Sequence, residues 1–293
     1  MADQERINTR LQNIRSVEPI LGAMRTISLG SWQAALGRQQ RIRDYSEELI
    51  SLLPAVLPHL ARKRRRRRMA HPPAPVAVLV IGSERGLCGA FSSSLAGVVE
   101  KQLLSYQDAG IEIELQTLGR RAERALKRRG LPVVWSKSLP TTSVPGRDLA
   151  AELVDTWVAR YQGFELDAVD VMYNAFRNST LYEPVLFRLL PPDLSAVAQG
   201  TASWPPPYVD TDPVSLYTRI IQLWMTTEMY RILLDSAAAE HSARYQLMEG
   251  AVQNSKRLID ELTLALQSMR QQAITAEMQE LAAGAGLMSS SDE

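Results

Sequence analysis

Residues 214–283 contain no proline and a single glycine, Gly250. Proline breaks helices and glycine weakens them, so a segment that nearly lacks both favours one continuous helix. At a rise of about 1.5 Å per residue this helix would measure about 105 Å, more than the diameter of a compact domain. It must therefore project from any globular part of the protein. Its apolar residues have mostly coiled-coil spacings and are Leu216, Ile220, Leu223, Tyr230, Leu234, Ala237, Leu258, Leu262, Leu266, Met269 and Ala273.

A second helical pattern covers residues 3 to about 57. Its apolar stripe is narrow, which indicates contact with one or two other helices rather than with a broad core. Pro19 lies within it and is expected to kink this helix or divide it in two, because proline removes a backbone donor. Pro54 and Pro58 mark its end. The two terminal helices together predict an antiparallel coiled coil.

The middle of the chain, residues 75–190, has a different period. "PVAVLVIG" is a continuous apolar strand, "IEIELQTLG" alternates like a strand, and helical segments separate the strands in the order β-α-β-α-β-α-β-β. Such alternation indicates a mostly parallel sheet covered on both faces. The predicted fold class is therefore α/β plus a long antiparallel coiled coil, with a Rossmann-like domain inserted between the terminal helices.

Composition shifts give the expected domain boundaries. A Pro-rich stretch precedes Asp212, a predicted helix cap, and Pro213, the predicted first helical residue. The expected parts are an N-terminal coiled-coil helix (1–60), a polybasic and Pro-rich link (61–74), the α/β domain (75–190), a linker (191–212), a C-terminal coiled-coil helix (213–285) and a flexible tail (286–293).

Residues 62–68 form an uninterrupted basic run. They contribute +7 to a formal net charge of +1, so the remainder of the chain carries −6. Such a run is typical of nucleic-acid arms and targeting signals, and also of a solvated helix end whose cations complement the helix dipole. The chain has no apolar stretch of about 18 residues that could span a bilayer. We expect a soluble protein, or one bound to a membrane only through partners.

"GSERGLCGAF", residues 82–91, follows the first strand, where phosphate-binding loops occur. Its glycine spacing fits neither nucleotide motif, so a tight strand-to-helix connection is the favoured interpretation. Cys88, the only cysteine, is expected to be a small buried residue. The three histidines lack ligand-like spacing. The sequence therefore predicts neither a cofactor nor a metal.

"EHSAR" brings Glu240, His241 and Arg244 within about one helical turn. A carboxylate, an imidazole and a guanidinium so close together could perform acid–base chemistry. On an exposed helix the trio is more typical of an interhelical polar contact, which is the interpretation we favour.

Several motifs resemble the gamma subunit of F-type ATP synthases. The last helix carries E-H-x-A-R, L-T-L, R-Q-x-x-I-T-x-E-x-x-E and G-A in the order and spacing of that family, and "ERGLCGAF", "YNAFRN", "EPVLFRLLP" and "ILGAM" also match. The resemblance spans essentially the whole chain. Pro19, Gln267, Leu287 and the Arg run depart from the family pattern, so the chain resembles a divergent bacterial member.

The resemblance implies a rotor shaft inside the ring of alternating alpha and beta subunits. The α/β domain would then be a foot on the ring of c subunits, with the epsilon subunit alongside. The chain would bind no cofactor and perform no chemistry itself, as a non-catalytic part of a proton- or sodium-translocating enzyme at the cytoplasmic face of the bacterial inner membrane. The coupling ion and the direction of the reaction stay open.

The same resemblance implies the roles of individual residues. Arg270 and Gln271 would contact a beta-subunit loop, and Met24 would lie where the shaft meets the beta subunits. The segment from Ile274, with Thr275, Glu277 and Glu280, would turn in an apolar bearing. Glu240, His241 and Arg244 would be polar contacts of the shaft. The Arg run is not part of the family pattern, but on this plan it lies at the boundary between shaft and foot. It would be either a solvated helix end or a contact with acidic ring loops or anionic lipid, made by Arg64, Arg65, Arg66, Arg67 and Arg68.

Two other functions are compatible with parts of the sequence. A coiled-coil nucleic-acid-binding protein would use the Arg run on phosphates, although nucleic acid is the disfavoured partner. A nucleotide-binding α/β enzyme would use the Gly-rich loop.

Overall fold

The computed structural model describes residues 2–56, 72–141, 143–193, 210 and 212–289. Its helices and strands, in chain order, are α1 (Ala2–Ser51), α2 (Leu53–Val56), β1 (Val76–Ile81), α3 (Phe91–Asp108), β2 (Ile113–Leu118), α4 (Arg120–Lys127), β3 (Val133–Lys137), α5 (Arg147–Gln162), β4 (Ala168–Phe176), β5 (Tyr182–Leu190) and α6 (Pro213–Ser289).

Helix α1 differs from the prediction at Pro19 and at its C-terminal end. The chain stays helical on both sides of Pro19, whose ring is exposed, so of the two expected effects of Pro19 the division into two helices does not occur. A single proline removes one hydrogen bond, and the packing of the rest of the helix can compensate for that loss. The helix ends at Ser51 rather than near residue 57. Pro54 explains this end, since its ring would clash with the carbonyl of Ile50.

The strands β1 to β5 form one sheet in the order β3-β2-β1-β4-β5. Strand β1 pairs in parallel with β2 and β4, β2 pairs in parallel with β3, and β4 pairs with β5 in the antiparallel direction. A short turn joins β4 to β5, which is the connection that antiparallel strands allow. The predicted mostly parallel α/β fold is confirmed.

Both faces of the sheet are covered. On one face Ala77, Leu79 and Ile81 belong to a core that includes Trp157 of α5 and Met229 of α6. On the other face, Val78 and Val80 pack with side chains of α3 and α4. All six residues of β1 are buried, as expected for the central strand of a sheet covered on both sides.

The structure divides into two compact units. One comprises residues 1–27 and 246–293, and the other comprises residues 28–245. The second unit thus contains the sheet together with a portion of each terminal helix, whereas the sequence suggested a boundary at the ends of the sheet. Helix α6 also continues to Ser289, past the expected end at residue 285.

Gly119, between β2 and α4, is a sensitive position in the sheet unit. Its φ is +95°, and a Cβ there would lie 2.6 Å from the carbonyl oxygen of Gly82. We expect Gly119→Ala to destabilise the chain by more than the roughly 1–3 kcal/mol of a positive-φ backbone conformation alone. Denaturant unfolding of the full-length chain measures this change.

The matched control is Gly130→Ala. Gly130 has φ +74°, but a Cβ added there would meet no other atom within 4 Å among the described residues. It should therefore show only the conformational cost. Equal losses of unfolding free energy in the two variants would contradict the close approach of Gly119 to the carbonyl of Gly82.

Candidate functional site

In the unit of residues 28–245, polar side chains connect α1 to α6. Gln39 Nε2 donates to Asp235 Oδ1 at 3.1 Å, and Ser46 Oγ donates to Glu228 Oε1 at 2.6 Å. A forward step of seven residues on α1 therefore matches a backward step of seven on α6. This is the register of an antiparallel helical pair with a seven-residue repeat.

The other unit contains the remaining parts of the same two helices. Leu11 of α1 and Leu266 of α6 are buried there, while their neighbours in sequence are largely exposed. Arg25 Nη1 lies 3.0 Å from Glu249 Oε2, a half-exposed ion pair between the helices. A narrow apolar seam flanked by polar residues is what the N-terminal pattern predicted.

The cluster of Glu240, His241 and Arg244 faces a loop of the sheet domain, the part of the chain from the start of β1 to the end of β5. Arg244 forms an ion pair with Glu240, and these side chains are only 7% and 12% exposed, respectively. Arg244 Nε donates to the carbonyl oxygen of Gly86 at 3.2 Å, and its Nη2 donates to that of Arg85 at 3.4 Å. Both acceptors belong to the β1–α3 loop. The trio is thus a helix-to-loop contact rather than the interhelical contact that we expected.

The protonation of His241 follows from this environment. Burial, with a smaller contribution from the positive charge of Arg244, lowers the pKa of His241 from 6.5 to about 4. The imidazole is therefore neutral at pH 7, and its Nδ1, 3.2 Å from Arg244 Nη1, accepts a hydrogen bond. Burial raises the pKa of Glu240, an effect that Arg244 opposes.

Close packing accounts for the glycines of the β1–α3 loop. A Cβ on Gly82 would lie 2.6 Å from Ala122 Cβ, and one on Gly86 would lie 2.7 Å from Arg121 Nη2. Both neighbours belong to α4. Ala122 Cβ cannot move away, so Gly82 must stay small, whereas the flexible end of Arg121 could shift to admit a side chain at Gly86. The requirement at Gly82 supports the tight-connection interpretation over a phosphate site.

Cys88 lies inside the same loop and is buried, as predicted. Its Sγ donates to Ser83 Oγ at 3.4 Å, and the residue packs with Phe91 and with Ala239 of α6. Burial raises the pKa of the Cys88 thiol, which keeps it protonated at neutral pH.

The residues expected at partner interfaces occupy exposed positions on α6, with Met24 half-buried on α1. Ile274, Met278 and Leu281 are 57%, 66% and 74% exposed at helical spacing. Thr275 Oγ1 donates to the carbonyl oxygen of Gln271 at 2.8 Å. Residues 64–68 lie outside the described part of the chain. The exposed set comprises Arg270, Gln271, Ile274, Thr275, Glu277 and Glu280.

Sequence reasoning missed two contacts of α6. Asp235 Oδ1 accepts a hydrogen bond from the backbone N–H of Phe176 at 3.3 Å. Ser242 Oγ donates to the carbonyl oxygen of Ser179 at 2.5 Å. The run of small residues around them, "DSAAAEHSA", was the available signal, since small side chains let a helix approach its neighbours closely.

Neither a metal site nor a membrane-spanning helix is found among the described residues. The described residues contain no group of three or more His, Cys, Asp or Glu side chains that could hold a metal ion. Within the same part of the chain, no helix has the length and apolar character needed to cross a membrane.

Comparison with known proteins identifies similar chains over nearly the whole length. A family model described as ATP synthase matches residues 3–287. The ATP synthase gamma chain of Anaeromyxobacter dehalogenans is 31% identical over 286 residues, covering 95% of this chain and 97% of that protein. The gamma chain of Rubrobacter xylanophilus is 30% identical over 295 residues, covering 97% and 98%.

Solved structures share the fold. The match to the Euglena gracilis mitochondrial ATP synthase, in a structure of its OSCP, F1 and c-ring parts, has a TM-score of 0.62 at 13% identity and covers 98% of this chain and 95% of that one. The match to the central stalk and c-ring of the Tetrahymena thermophila mitochondrial ATP synthase has a TM-score of 0.57 at 23% identity, with 79% and 99% covered.

We expect the imidazole of His241 to titrate near pH 4 in the folded full-length chain. Its depressed pKa stabilises the fold above pH 6.5, and this contribution, about 3 kcal/mol, is lost as the pH falls toward 4 because only the unfolded chain takes up the proton. Proton NMR of the histidine rings from pH 7.5 to 3.5 measures the midpoint. The His241→Gln variant assigns the signal, and a midpoint near 6.5 would contradict the buried environment.

Proposed function

Because this chain belongs to the gamma-chain family of ATP synthases, we propose that it is the rotating central-stalk subunit of such an enzyme. It couples ion flow through a membrane ring to conformational changes in the catalytic beta subunits, in ATP synthesis or in ATP-driven ion pumping. The observation that carries this function is the family match over residues 3–287, on a chain whose terminal helices pair antiparallel beside a sheet domain.

The subunit contributes no catalytic group. It acts through contacts that differ among the three catalytic subunits at any rotor angle, because only differential contact can shift a conformational equilibrium. An asymmetric pair of helices provides such contacts as it turns. The buried, uncharged imidazole of His241 is consistent with this mechanical role, since it is a hydrogen-bond acceptor within the fold.

Residues near the C-terminal end of α6 contact the alpha and beta subunits. The exposure of Arg270 and Gln271 leaves a guanidinium and an amide that can form directional bonds to a beta-subunit loop. Ile274, Met278 and Leu281 form an exposed apolar stripe, which suits an apolar bearing. Thr275, Glu277 and Glu280 lie on the same turns of the helix.

Helix α1 offers a second contact region around Met24. Val17, Ile20 and Ile27 are large apolar residues that stay exposed, at spacings of three and seven residues. Exposed apolar residues at helical spacing are typical of a face that meets a partner. We assign this face to the beta subunits, with Met24 at its centre.

The sheet domain is the foot of the rotor. It rests on the c-subunit ring, with the epsilon subunit alongside, at the cytoplasmic face of the bacterial inner membrane. The similar gamma chains of Anaeromyxobacter dehalogenans and Rubrobacter xylanophilus are bacterial, which supports this location. Either protons or sodium ions would serve as the coupling ion. Copurification tests the assignment: a stoichiometric complex with alpha and beta subunits supports it, and recovery of the chain without them overturns it.

We expect Arg270→Ala combined with Gln271→Ala to lower ATP-driven ion pumping by about tenfold or more. Removing two directional bonds, one of them charge-assisted, corresponds to at least about 1.4 kcal/mol. Fluorescence quenching in vesicles containing the assembled enzyme measures the pumping rate.

The control for this prediction is Arg257→Ala on the same helix. The Arg257 side chain is 70% exposed. Among the described ion pairs it takes part in one, with its helical neighbour Glu261 at 3.7 Å. Its loss should leave pumping within about twofold, since exposed pairs contribute little. Equal pumping rates in the double variant and the wild type would contradict the proposed contact of Arg270 and Gln271 with a beta-subunit loop.

We propose that Arg64–Arg68 help to seat the foot on acidic ring loops or anionic lipid. Each basic residue near an anionic surface contributes about 1 kcal/mol, so three or four facing side chains are sufficient. Replacing all five with Gln should increase the fraction of complexes that dissociate from vesicles as salt rises. Replacing them with Lys is the matched control, because it keeps the charge. If complexes with the Gln and the Lys replacements stay attached equally well as salt rises, the Arg run is a solvated spacer and does not seat the foot.

A further inference from the structure

We propose that residues 235–244 of α6, here called the anchoring segment, are the joint that transmits torque between the sheet domain and the helical pair. The inference rests on the proposed rotor function and names the residues that carry the load. The anchoring segment bonds to backbone atoms of three stretches of the sheet domain.

The first attachment is at the end of β4. The Asp235 carboxylate is buried, and its Oδ1 accepts from the Phe176 backbone N–H at 3.3 Å. The same oxygen accepts from Gln39 Nε2 at 3.1 Å. One carboxylate oxygen therefore connects α6 both to α1 and to the last residue of a central strand.

The second attachment is to the turn between β4 and β5. Ser242 is buried, and its hydroxyl donates to the carbonyl oxygen of Ser179 at 2.5 Å. Ser242 lies seven residues beyond Asp235, about two helical turns, so both residues project from nearly the same face of α6.

The third attachment is to the β1–α3 loop. The Arg244 guanidinium donates to the carbonyl oxygens of Arg85 and Gly86, while Glu240 balances its charge and His241 accepts a further bond. A guanidinium has a planar fork of donors, so it can hold two adjacent carbonyls and a carboxylate at once.

The three attachments lie at the topological switch point of the sheet. From β1 the chain continues to β2 and β3 on one side of the sheet and then crosses to β4 and β5 on the other side. The switch point is therefore between β1 and β4. In open α/β sheets this crevice, outside the carboxyl ends of the strands, is where ligands bind. In this chain Ala239 of α6 packs there with Cys88 and Phe91. Helix α6 of the chain itself therefore occupies the crevice in which other proteins of this architecture bind ligands.

The geometry suits the transmission of torque. Asp235 and Arg244 are nine residues apart, which places the outermost attachments about 13 Å apart along the helix axis. A single bond would act as a pivot, whereas attachments spread along the axis fix the direction of the helix. Because the partner groups, one N–H and three carbonyls, come from different stretches of backbone, the bonds also resist rotation of α6 about its own axis.

The test uses the reconstituted enzyme in vesicles with Ser242→Ala and Arg244→Met combined. We expect the complex to assemble with normal stoichiometry and to hydrolyse ATP within about twofold of the wild type. The number of ions pumped per ATP should fall by about twofold or more, because the apolar contacts of α6 with the sheet then hold the foot without the bonds that fix its orientation. Arg257→Met is the control on the same helix and should pump normally.

Amide hydrogen exchange distinguishes this role from a general loss of structure. In the full-length double variant, exchange should accelerate in residues 83–91 and 176–182, and β1 should keep its protection. Normal coupling despite that local release would overturn the proposal. If the double variant does not assemble, Arg244→Lys replaces it, since it retains the charge beside Glu240 but not the fork. We expect intermediate coupling from Arg244→Lys, and full coupling would overturn the proposal.

Failure of this inference is distinguishable from failure of the proposed function. If the chain is not a rotor subunit, the wild-type chain itself forms no complex with alpha and beta subunits and supports no pumping. If only the joint is misassigned, the wild type pumps and the double variant pumps equally well.

Discussion

The close approach of α6 to the carboxyl edge of the sheet sets the positions of the other elements around it. Ala238 and Ala239 are almost completely buried there, and Ala239 packs with Cys88 and Phe91 of the β1–α3 region. Any longer side chain at residue 239 would move the helix away from the loop, because protein interiors have no spare volume. The hydrogen bonds of Ser242 and Arg244 to loop carbonyls form only at this separation.

Polar groups, rather than apolar area alone, specify how this helix sits on the sheet. Asp235, Glu240 and Arg244 are buried or nearly so, and each has identified partners. Burying charges costs desolvation energy, so such pairs add little net stability compared with apolar residues of similar size. They do penalise other registers of α6, because a shift by one residue would separate Asp235 from the Phe176 N–H and Arg244 from its loop carbonyls. The Glu240–Arg244 pair lies within α6 and would not itself be broken. Such positional specificity suits a subunit whose proposed task is to keep one orientation under load.

The Gly-rich stretch after β1 illustrates how one sequence pattern serves two kinds of structure. A phosphate loop uses glycine so that backbone amides can approach an anion. Here Gly82 and Gly86 allow the loop to approach Ala122 and Arg121 of α4. The glycine spacing is enough to distinguish the two uses, because it fits neither dinucleotide nor P-loop geometry. The same loop then presents the carbonyls of Arg85 and Gly86 to Arg244.

Local sequence patterns were sufficient to predict the two long helices, the mostly parallel sheet and the small buried residue at Cys88. The spacing of apolar residues within one segment indicates both the type of element and the face that it buries. They also predicted the cluster of Glu240, His241 and Arg244, but as a contact with another helix. They did not predict the contacts of Asp235 and Ser242, and they left open whether Pro19 would kink α1 or divide it. Those outcomes depend on tertiary contacts: Arg244 and Gly86 are 158 residues apart in the chain, and Gln39 and Asp235 are 196 apart. Only folding brings such groups together, since a local pattern contains no information about which distant backbone atoms a side chain will meet.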